Sequence, residues 1–473
     1  MGSAIKFGTD GWRAVIAEDY TFENVRLCAQ AIAEYLGDTG LGRQGLVVGY
    51  DTRFASEDFA AAVAEVAAAN GVRVYLCDRA APTPVVTYAV QTHNAGGAVI
   101  ITASHNPWRW NGLKYRVELA AAASPDVLAD IEARISRVQS GEGARVVPLD
   151  DAVRSDMVEM FDPSAPYLAH IRQFVDLEAL RNAGLKVTVD PMYGAGAGYL
   201  ATILRGGSTQ IAEIHGERNP LFPRLRPEPI GTNLSELCAT VRETGAGVGL
   251  ATDGDADRIG VVDENGTYLT TLQVFALLAL YLLEVRGQRG PIVKTITASA
   301  MLYRLGELYG VPVHETAVGF KYVAPKMVAE DAMLGGEESG GYAFRGHVLE
   351  RDGILSGLFF LDLMVKLEKR PSELIDYLYS KVGPHYYDRV DVEFPAEKRR
   401  SVVDRLGNKP DRIDDVEVAE VQTEDGYRFL LGDGSWLLIR FSGTEPLLRI
   451  YAESDSPRRV EALLNAGRTM AGV

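Results

Sequence analysis

Apolar and polar positions along the chain fall into two alternating rhythms. Short runs at Leu46 to Tyr50, Arg73 to Cys77 and Ala98 to Ile101 have the length and branching of buried strands. Val25, Cys28, Ile32 and Leu36 instead recur at helical spacing within Phe22 to Leu36. Ser56 stands where an N-cap would open a helix through Phe59, Val63 and Val66, and Asn70-Gly71 supplies the stop. Strands alternating with helices predict parallel sheet covered by helices. The rhythm restarts at Leu185 to Val189, which ends in Asp190-Pro191 and a glycine-rich turn (Gly194, Gly196, Gly198). A helical stretch and a strand at Gly247 to Thr252 follow. A third round begins at Ile292 to Ile296, with a helix over Ala300 to Tyr309 and a strand around Val313. Ile-Thr-Ala-Ser occurs at 101–104 and again at 296–299, each time ending a strand pattern, a slender hint of repeated domains.

Beyond Gly383-Pro384 the pattern changes. Asp388 to Phe394 alternates, hairpin turns are signalled at Glu424-Asp425-Gly426 and Asp433-Gly434, and Trp436 to Arg440 reads as a strand, so an α+β unit is expected. Boundaries near Asp162 to Pro166, near Asp263 to Gly266 and between Glu368 and Gly383 divide the chain into 1–160, 161–263, 264–375 and 376–473.

Composition narrows the class. Of 473 residues, 48 are Lys or Arg and 64 Asp or Glu, and a formal charge of −16 argues against nucleic acid as a partner. A hydrophobic fraction of 47% with 24% charged residues is that of a folded globular protein. The longest apolar stretch, Val274 to Leu283, is far short of the ~20 residues that span a bilayer, and the N-terminus lacks a basic-then-apolar leader pattern, so the expected location is cytoplasmic, away from membrane. Cys28, Cys77 and Cys238 are too few and too scattered for a disulfide framework or a thiolate zinc site.

Five segments carry chemistry-bearing residues. Thr102 to Pro107 follows a strand directly and presents Ser104 at the carboxyl end of a parallel strand, where α/β sites collect; an ordinary strand-to-loop turn is the alternative. Asp253-Gly254-Asp255-Ala256-Asp257-Arg258 places three carboxylates at alternate positions between two strand patterns. A hard divalent cation, Mg²⁺ or Ca²⁺, would offset their repulsion. An EF-hand loop does not fit, because Arg258 stands at the sixth position where that loop turns on glycine, although Glu264 falls at the twelfth. Three side-chain oxygens leave such a cation short of ligands, which invites a phosphate oxygen. Gly335 to Gly341 combines glycines with Glu337, Glu338 and Ser339, a composition suited to sugar hydroxyls, or else to a surface turn. Arg440 to Pro446 holds a guanidinium, two hydroxyls and a glycine, which suits a phosphate cradle, with Arg449 able to add charge if the chain doubles back. Phe7 to Arg13 is a tight glycine turn bearing Arg13, and Lys114 follows Ser104 closely enough to return to it.

Taken together and in order, these segments resemble the α-D-phosphohexomutase superfamily, the phosphoglucomutase and phosphomannomutase enzymes. The likeness spans the chain: FGTDGWRA at Phe7 to Ala14, TASHNP with the following NGLK, DPMYGAGAGYL at Asp190 to Leu200, DGDADR, TAVGFK at Thr316 to Lys321, GEESGG and RFSGTEP. Ala14 departs from the glycine the family often has there. The resemblance implies an α/β fold of four domains around a central cleft, three related mixed α/β domains and a smaller C-terminal α+β domain. It implies that Ser104 is carried as phosphoserine and that Asp253, Asp255 and Asp257 bind Mg²⁺ together with a phosphate oxygen on Ser104. Lys114 would be the general acid or base, with Arg13 and His105 supporting it, and Arg258 would steady the phosphoserine. Thr316, Gly319 and Lys321 would line the cleft, and Glu337 and Ser339 would hold sugar hydroxyls. Arg440, Ser442, Gly443 and Thr444 would grip the phosphate that does not react. The implied reaction interconverts glucose 1-phosphate and glucose 6-phosphate, with glucose 1,6-bisphosphate as intermediate and activator. A hexose phosphate is the expected partner, and a monomer or homodimer the expected state. Gly341 favours glucose, since mannose- and glucosamine-type enzymes often carry His there; phosphomannomutase or dual activity and phosphoglucosamine mutase are the alternatives within the family. A Mg²⁺-dependent sugar phosphatase is the alternative from another class.

Overall fold

Three of the four sheets follow one plan. In the first, Leu46–Tyr50 is flanked in parallel by Val74–Cys77 on one side and Gly97–Ile101 on the other, and Trp110–Val117 runs antiparallel beside the last. Lys186–Asp190, Gln210–Glu213, Val248–Thr252 and Ile259–Val262 repeat that arrangement. Ile292–Thr295, Val313–Thr316, Leu334–Gly336 and Tyr342–Phe344 repeat it again. In each unit the connection from third to fourth strand leaves the carboxyl end of a parallel strand, the edge where α/β folds place their sites. Those three connections hold Ser104, the aspartates 253 to 257, and Glu337 to Gly341. The computed structural model describes residues 5–8, 10–394, 399–407, 410–442 and 447–473.

The strands read as unbroken apolar runs because helices cover both faces of the sheet: Val47, Val48, Val99, Ile100 and Ile101 are all fully buried. One continuous apolar cluster joins Val47 and Val85 of the first unit, Val189 and Leu250 of the second, and Phe275 and Leu334 of the third. Its centre is the helix Thr271–Leu280, which opens on a capping box between Thr270 and Gln273 and continues into a π-helical turn at Tyr281–Val285. That helix accounts for the long apolar stretch; apolar on every side, it is core, not a membrane span. Among the described residues, no helix is long and apolar enough to cross a membrane.

The fourth unit is a wholly antiparallel sheet in the order Tyr386–Glu393, Leu447–Ser454, Trp436–Phe441, Tyr427–Leu431, Val416–Gln422, Arg412–Ile413, with the helix Pro457–Ala471 packed on it. The two hairpins lie where the turn signals placed them. Arg440 and Arg449 stand opposite each other across the last hairpin.

Four details differ from the sequence reading. Ser56 is the first residue of the helix Ser56–Ala69, not its cap; Ala55 precedes it at φ +56°, and the Ser56 hydroxyl donates to Asp51 Oδ1 at 2.9 Å instead. The strand Gln210–Glu213 was not foreseen, because it is a half-exposed edge strand without an apolar run. The two Ile-Thr-Ala-Ser segments are not equivalent: one follows the third strand of the first unit, the other the first strand of the third unit. The limits at 160, 263 and 375 also shift. Val158–Phe161 completes the first sheet, Tyr268–Leu269 extends the second, and the helix Pro371–Val382 runs unbroken across residue 375.

Candidate active site

Ser104 sits just past the strand Gly97–Ile101 with φ +49°, a left-handed conformation that L side chains avoid unless the surroundings enforce it. A buried cation does so here. Arg53 Nη2 donates to the carbonyls of Ser104 (2.6 Å) and Asn106 (2.7 Å), and Nη1 to those of Pro107 and Trp110 (3.0 Å each). The planar fork of donors thus closes the loop around itself. The Ser104 N–H donates to Thr102 Oγ1 at 2.8 Å. Against this loop lies the backbone of Gly254, where a Cβ would overlap the Ser104 carbonyl oxygen, so only glycine lets the second unit approach so closely. Ala195, in the glycine-rich turn of the second unit, supports that backbone by donating its N–H to the Gly254 carbonyl at 2.9 Å.

Asp253, Asp255 and Asp257 are fully buried, and one oxygen from each lies within 4.8 Å of the others. The Ser104 hydroxyl donates to Asp253 Oδ2 at 2.8 Å. Asp253 Oδ1 accepts from the N–H groups of Asp257 (3.0 Å) and Arg258 (3.1 Å), which sets the loop's shape. Asp255 Oδ2 accepts from Thr83 Oγ1 (2.6 Å) and Lys114 Nζ (2.7 Å), while Asp257 Oδ2 accepts from Lys114 Nζ (3.0 Å) and Arg351 Nη2 (2.6 Å). The remaining oxygens, Asp255 Oδ1 and Asp257 Oδ1, are buried and accept no hydrogen bond from the described residues. Orphaned carboxylate oxygens beside a third carboxylate and a hydroxyl form a hard-oxygen donor set, and Mg²⁺ fits it.

Electrostatics divide the groups by role. Burial, and then repulsion from Asp255 and Asp257, holds the Asp253 carboxyl well above the usual range. For Asp255 burial acts in the same sense, but Lys114 and the hydrogen bonds it receives prevail and its pKa falls. Burial alone would deprotonate Lys114; Asp10, Asp255 and Asp257 outweigh it and raise its pKa, so the ammonium is retained. His105 is driven well below its ordinary value by burial and by the surrounding Arg258, Arg13, Arg226 and Arg53, which makes it a neutral imidazole with Nδ1 3.3 Å from Ser104 Oγ. Arg13 Nη1 donates to Asn106 Oδ1 at 2.8 Å, and Arg13 Nη2 stands 3.6 Å from Asp10. Arg258 Nη1 is 3.6 Å from Glu228.

The loop Gly335 to Gly341 joins this cluster through Glu337, whose Oε2 accepts from Arg351 Nη1 at 3.0 Å; Ser339 follows, half-buried, in the same turn. Thr316 ends its strand, Gly319 at φ +131° opens the helix Phe320–Ala329, and Lys321 Nζ lies 5.3 Å from the Tyr322 ring. Arg440 Nε donates to Asp425 Oδ1 (2.9 Å), whose other oxygen accepts from the Val318 N–H (2.8 Å), so the fourth unit's arginine stands beside the cleft segment. The Ser442 N–H donates to the Leu447 carbonyl at 2.9 Å, while Gly443 and Thr444 lie outside the described residues.

Several residues of this cluster escaped the sequence reading: Arg53, Thr83, Arg116, Glu350 and Arg351, with Asp10 lying unremarked inside the N-terminal motif. Asp10 takes Lys114 (2.8 Å), Arg116 (2.9 Å) and Arg351 (2.6 Å), and Arg116 also pairs with Glu350. The available signal was the charged triplet Glu350-Arg351-Asp352 set directly before an apolar helix, all three of which are buried.

Residues 4–142, 165–266 and 271–382 match, in that order, the α/β/α domains I, II and III of phosphoglucomutase/phosphomannomutase, and residues 398–468 match its C-terminal domain. The chain belongs to the phosphoglucomutase/phosphomannomutase family. As a phosphohexomutase it is an isomerase that moves a phosphoryl group on a hexose phosphate, and its three-plus-one domain architecture is that of the family. A phosphoglucomutase/phosphomannomutase of Thermococcus kodakarensis is 32% identical over 465 residues, 98% of this chain and 97% of that one. A phosphoglucosamine/phosphogalactosamine mutase of Sulfurisphaera tokodaii is 30% identical over 469 residues, 97% of each chain. A crystal structure from Thermus thermophilus, of a protein assigned as a phosphomannomutase, aligns with a TM-score of 0.87 at 34% identity over 100% of both chains.

Proposed function

We propose that this phosphohexomutase interconverts glucose 1-phosphate and glucose 6-phosphate, with Ser104 carrying the phosphoryl group between substrate and product. The observation that carries the reading is the contact of Ser104 Oγ with Asp253 Oδ2 at 2.8 Å, inside a buried carboxylate triad that also binds the Lys114 ammonium. Mg²⁺, held by Asp253, Asp255, Asp257 and a phosphate oxygen on Ser104, would supply charge compensation for the transferring group. The chain's own residues do the rest. Arg53 fixes the Ser104 loop so that Oγ faces the triad. Lys114 exchanges the proton of the reacting sugar oxygen: the amine takes it when the hydroxyl attacks, the ammonium so formed returns it when the other sugar oxygen departs, and Mg²⁺ on Asp255 and Asp257 would weaken the hold of those carboxylates on the ammonium. Arg13, Arg258 and neutral His105 line the other side of Ser104 with positive charge and an acceptor.

Phosphoserine 104 gives its phosphoryl group to the free hydroxyl of the hexose monophosphate, forming glucose 1,6-bisphosphate, and after the intermediate turns the other phosphate returns to Ser104. Glu337 and Ser339 hold ring hydroxyls in both poses. Arg440, Ser442, Gly443 and Thr444 hold whichever phosphate is not reacting. Gly341 supports glucose as the sugar. The Sulfurisphaera relative's name favours an amino sugar as the second reading.

The test compares kcat/KM for glucose, mannose and glucosamine 1-phosphates, each with a catalytic amount of the matching 1,6-bisphosphate and with free phosphate monitored. Isomerisation fastest on glucose without net phosphate release is expected. Faster turnover of glucosamine 1-phosphate would replace the sugar assignment, and steady phosphate release would favour the phosphatase.

A further inference from the structure

Arg351 ties together the N-terminal turn, the aspartate loop and the loop of Glu337. It is 3% exposed and lies between the fourth strand of the third unit and the helix Gly353–Leu367. Nη2 donates to Asp257 Oδ2 of the metal loop and to Asp10 Oδ2 of the N-terminal turn, both at 2.6 Å. Nη1 donates to Glu337 Oε2 of the sugar loop at 3.0 Å, and Nε lies 3.7 Å from Glu350. The guanidinium carbon stands 5.4 Å from the centre of the Phe320 ring, in the cleft segment. A planar fork can satisfy several carboxylates in fixed directions, which a lysine ammonium on its flexible stem cannot do equally well.

The stem of Arg351 lies directly over Gly341. A Cβ built on Gly341 would overlap Arg351 Cδ and crowd its Cγ. Gly341 is absent from the positive-φ glycines, so the backbone there accepts any residue. What bars a side chain is the arginine.

Building on the mutase reading, we propose that Gly341 and Arg351 form one specificity element. The glycine leaves room for the arginine, and the arginine holds Glu337 at fixed distance from Asp257, so the hydroxyls that Glu337 accepts are registered against the reacting phosphate. Arg351 acts through Glu337 and is a positioning residue. Glu337 then meets the sugar, while its placement is set from the helix-capping segment of the third unit through the space that Gly341 leaves open.

A double-mutant cycle tests this. Gly341→Ala inserts a methyl where Arg351 lies and should raise KM for glucose 1-phosphate about tenfold with a smaller change in kcat, and move the glucose-to-mannose ratio of kcat/KM toward one. Arg351→Ala should act in the same sense. The double variant should be little worse than Arg351→Ala alone, because the methyl then meets only the Cβ of residue 351, at 3.2 Å. Arg351→Lys should recover part of the KM but not the sugar ratio. Gly341→Ala with wild-type KM and wild-type ratio overturns the pairing, as does full additivity of the two substitutions. Gly341→Ala keeps every charge in place and decides the matter even if Arg351→Ala does not fold. Wild-type protein inactive on all three sugar phosphates would instead overturn the functional reading, so the two failures are distinct.

Discussion

Thr83 and Asp255 are tied twice across the boundary between the first and second units: the Thr83 N–H donates to the Asp255 carbonyl at 2.9 Å, and the Thr83 hydroxyl to Asp255 Oδ2 at 2.6 Å. Thr83 opens the helix Thr83–His93, so the first unit directs a helix N-terminus at the metal loop of the second. Thr83→Val keeps the shape and the backbone bond but removes the hydroxyl, leaving Asp255 free to rotate away. A loss of about 1.5 kcal/mol, or roughly tenfold in Mg²⁺ affinity, is expected from one hydrogen bond to a charged acceptor. Calorimetric titration with Mg²⁺ reads it directly, and an unchanged affinity would show that the hydroxyl does not orient the carboxylate.

Ser104→Ala should abolish mutase turnover while hexose monophosphate still binds, since the sugar and phosphate loops are untouched. Intact mass before and after incubation with glucose 1,6-bisphosphate gives a second readout: wild-type protein gains one phosphoryl group and the variant gains none. Phosphorylation of the variant would move the carrier role elsewhere.

Ser104, the aspartates 253 to 257 and Glu337 stood out as candidates in the sequence because each sits in a short run of small and polar residues at a strand's carboxyl end. Ser104, Asp253 to Asp257 and Glu337 occupy equivalent connections of three copies of one unit, although the tetrapeptide that hinted at repetition proved to be misaligned. The residues that hold those loops were not legible. Arg53 and Thr83 are isolated in sequence, and the distant partners that give these residues their roles lie far along the chain, Ser104 51 positions from Arg53 and Asp10 341 from Arg351. Spacing along a chain reports on periodic elements, whereas a buried cation that closes a loop from another element leaves no local pattern. The Ser56 hydroxyl shows the same limit: its proton goes to Asp51 and its oxygen accepts from Asn111 Nδ2 at 2.9 Å, two partners outside the helix that a capping signal does not reveal.

Arg53→Lys replaces a fork that satisfies four carbonyls with three donors on a flexible stem. At least one of these carbonyls then loses its donor from residue 53, and the fork that enforces φ +49° at Ser104 is lost. Destabilisation of about 2–3 kcal/mol is expected, with a fall in kcat larger than any change in KM. Denaturant unfolding measures the first and steady-state kinetics the second. A stable variant with reduced kcat would separate loop positioning from folding; wild-type values for both would show that the loop holds itself.

Acid stability should register His170. Its Nε2 lies 3.1 Å from His347 Nδ1, and His347 Nε2 lies 2.8 Å from Asp352, the residue that caps the helix following Arg351. Burial foremost, with His347 adding to it, pushes the His170 pKa down to about 4. Between that value and the ~6.5 of an unfolded chain, the unfolded state binds the extra proton, so the contribution is intact above ~6.5 and is lost progressively as pH falls toward ~4. His170→Gln removes the titration while retaining hydrogen-bonding capacity toward His347. Its melting temperature should therefore fall less than that of wild-type protein between about pH 7 and pH 5, measured by calorimetry in buffers of equal ionic strength. Parallel declines would assign the acid sensitivity of this window to groups other than His170; Glu315, which burial raises but Lys294 and Arg428 bring down to about 2, keeps its contribution throughout it and loses it only at lower pH.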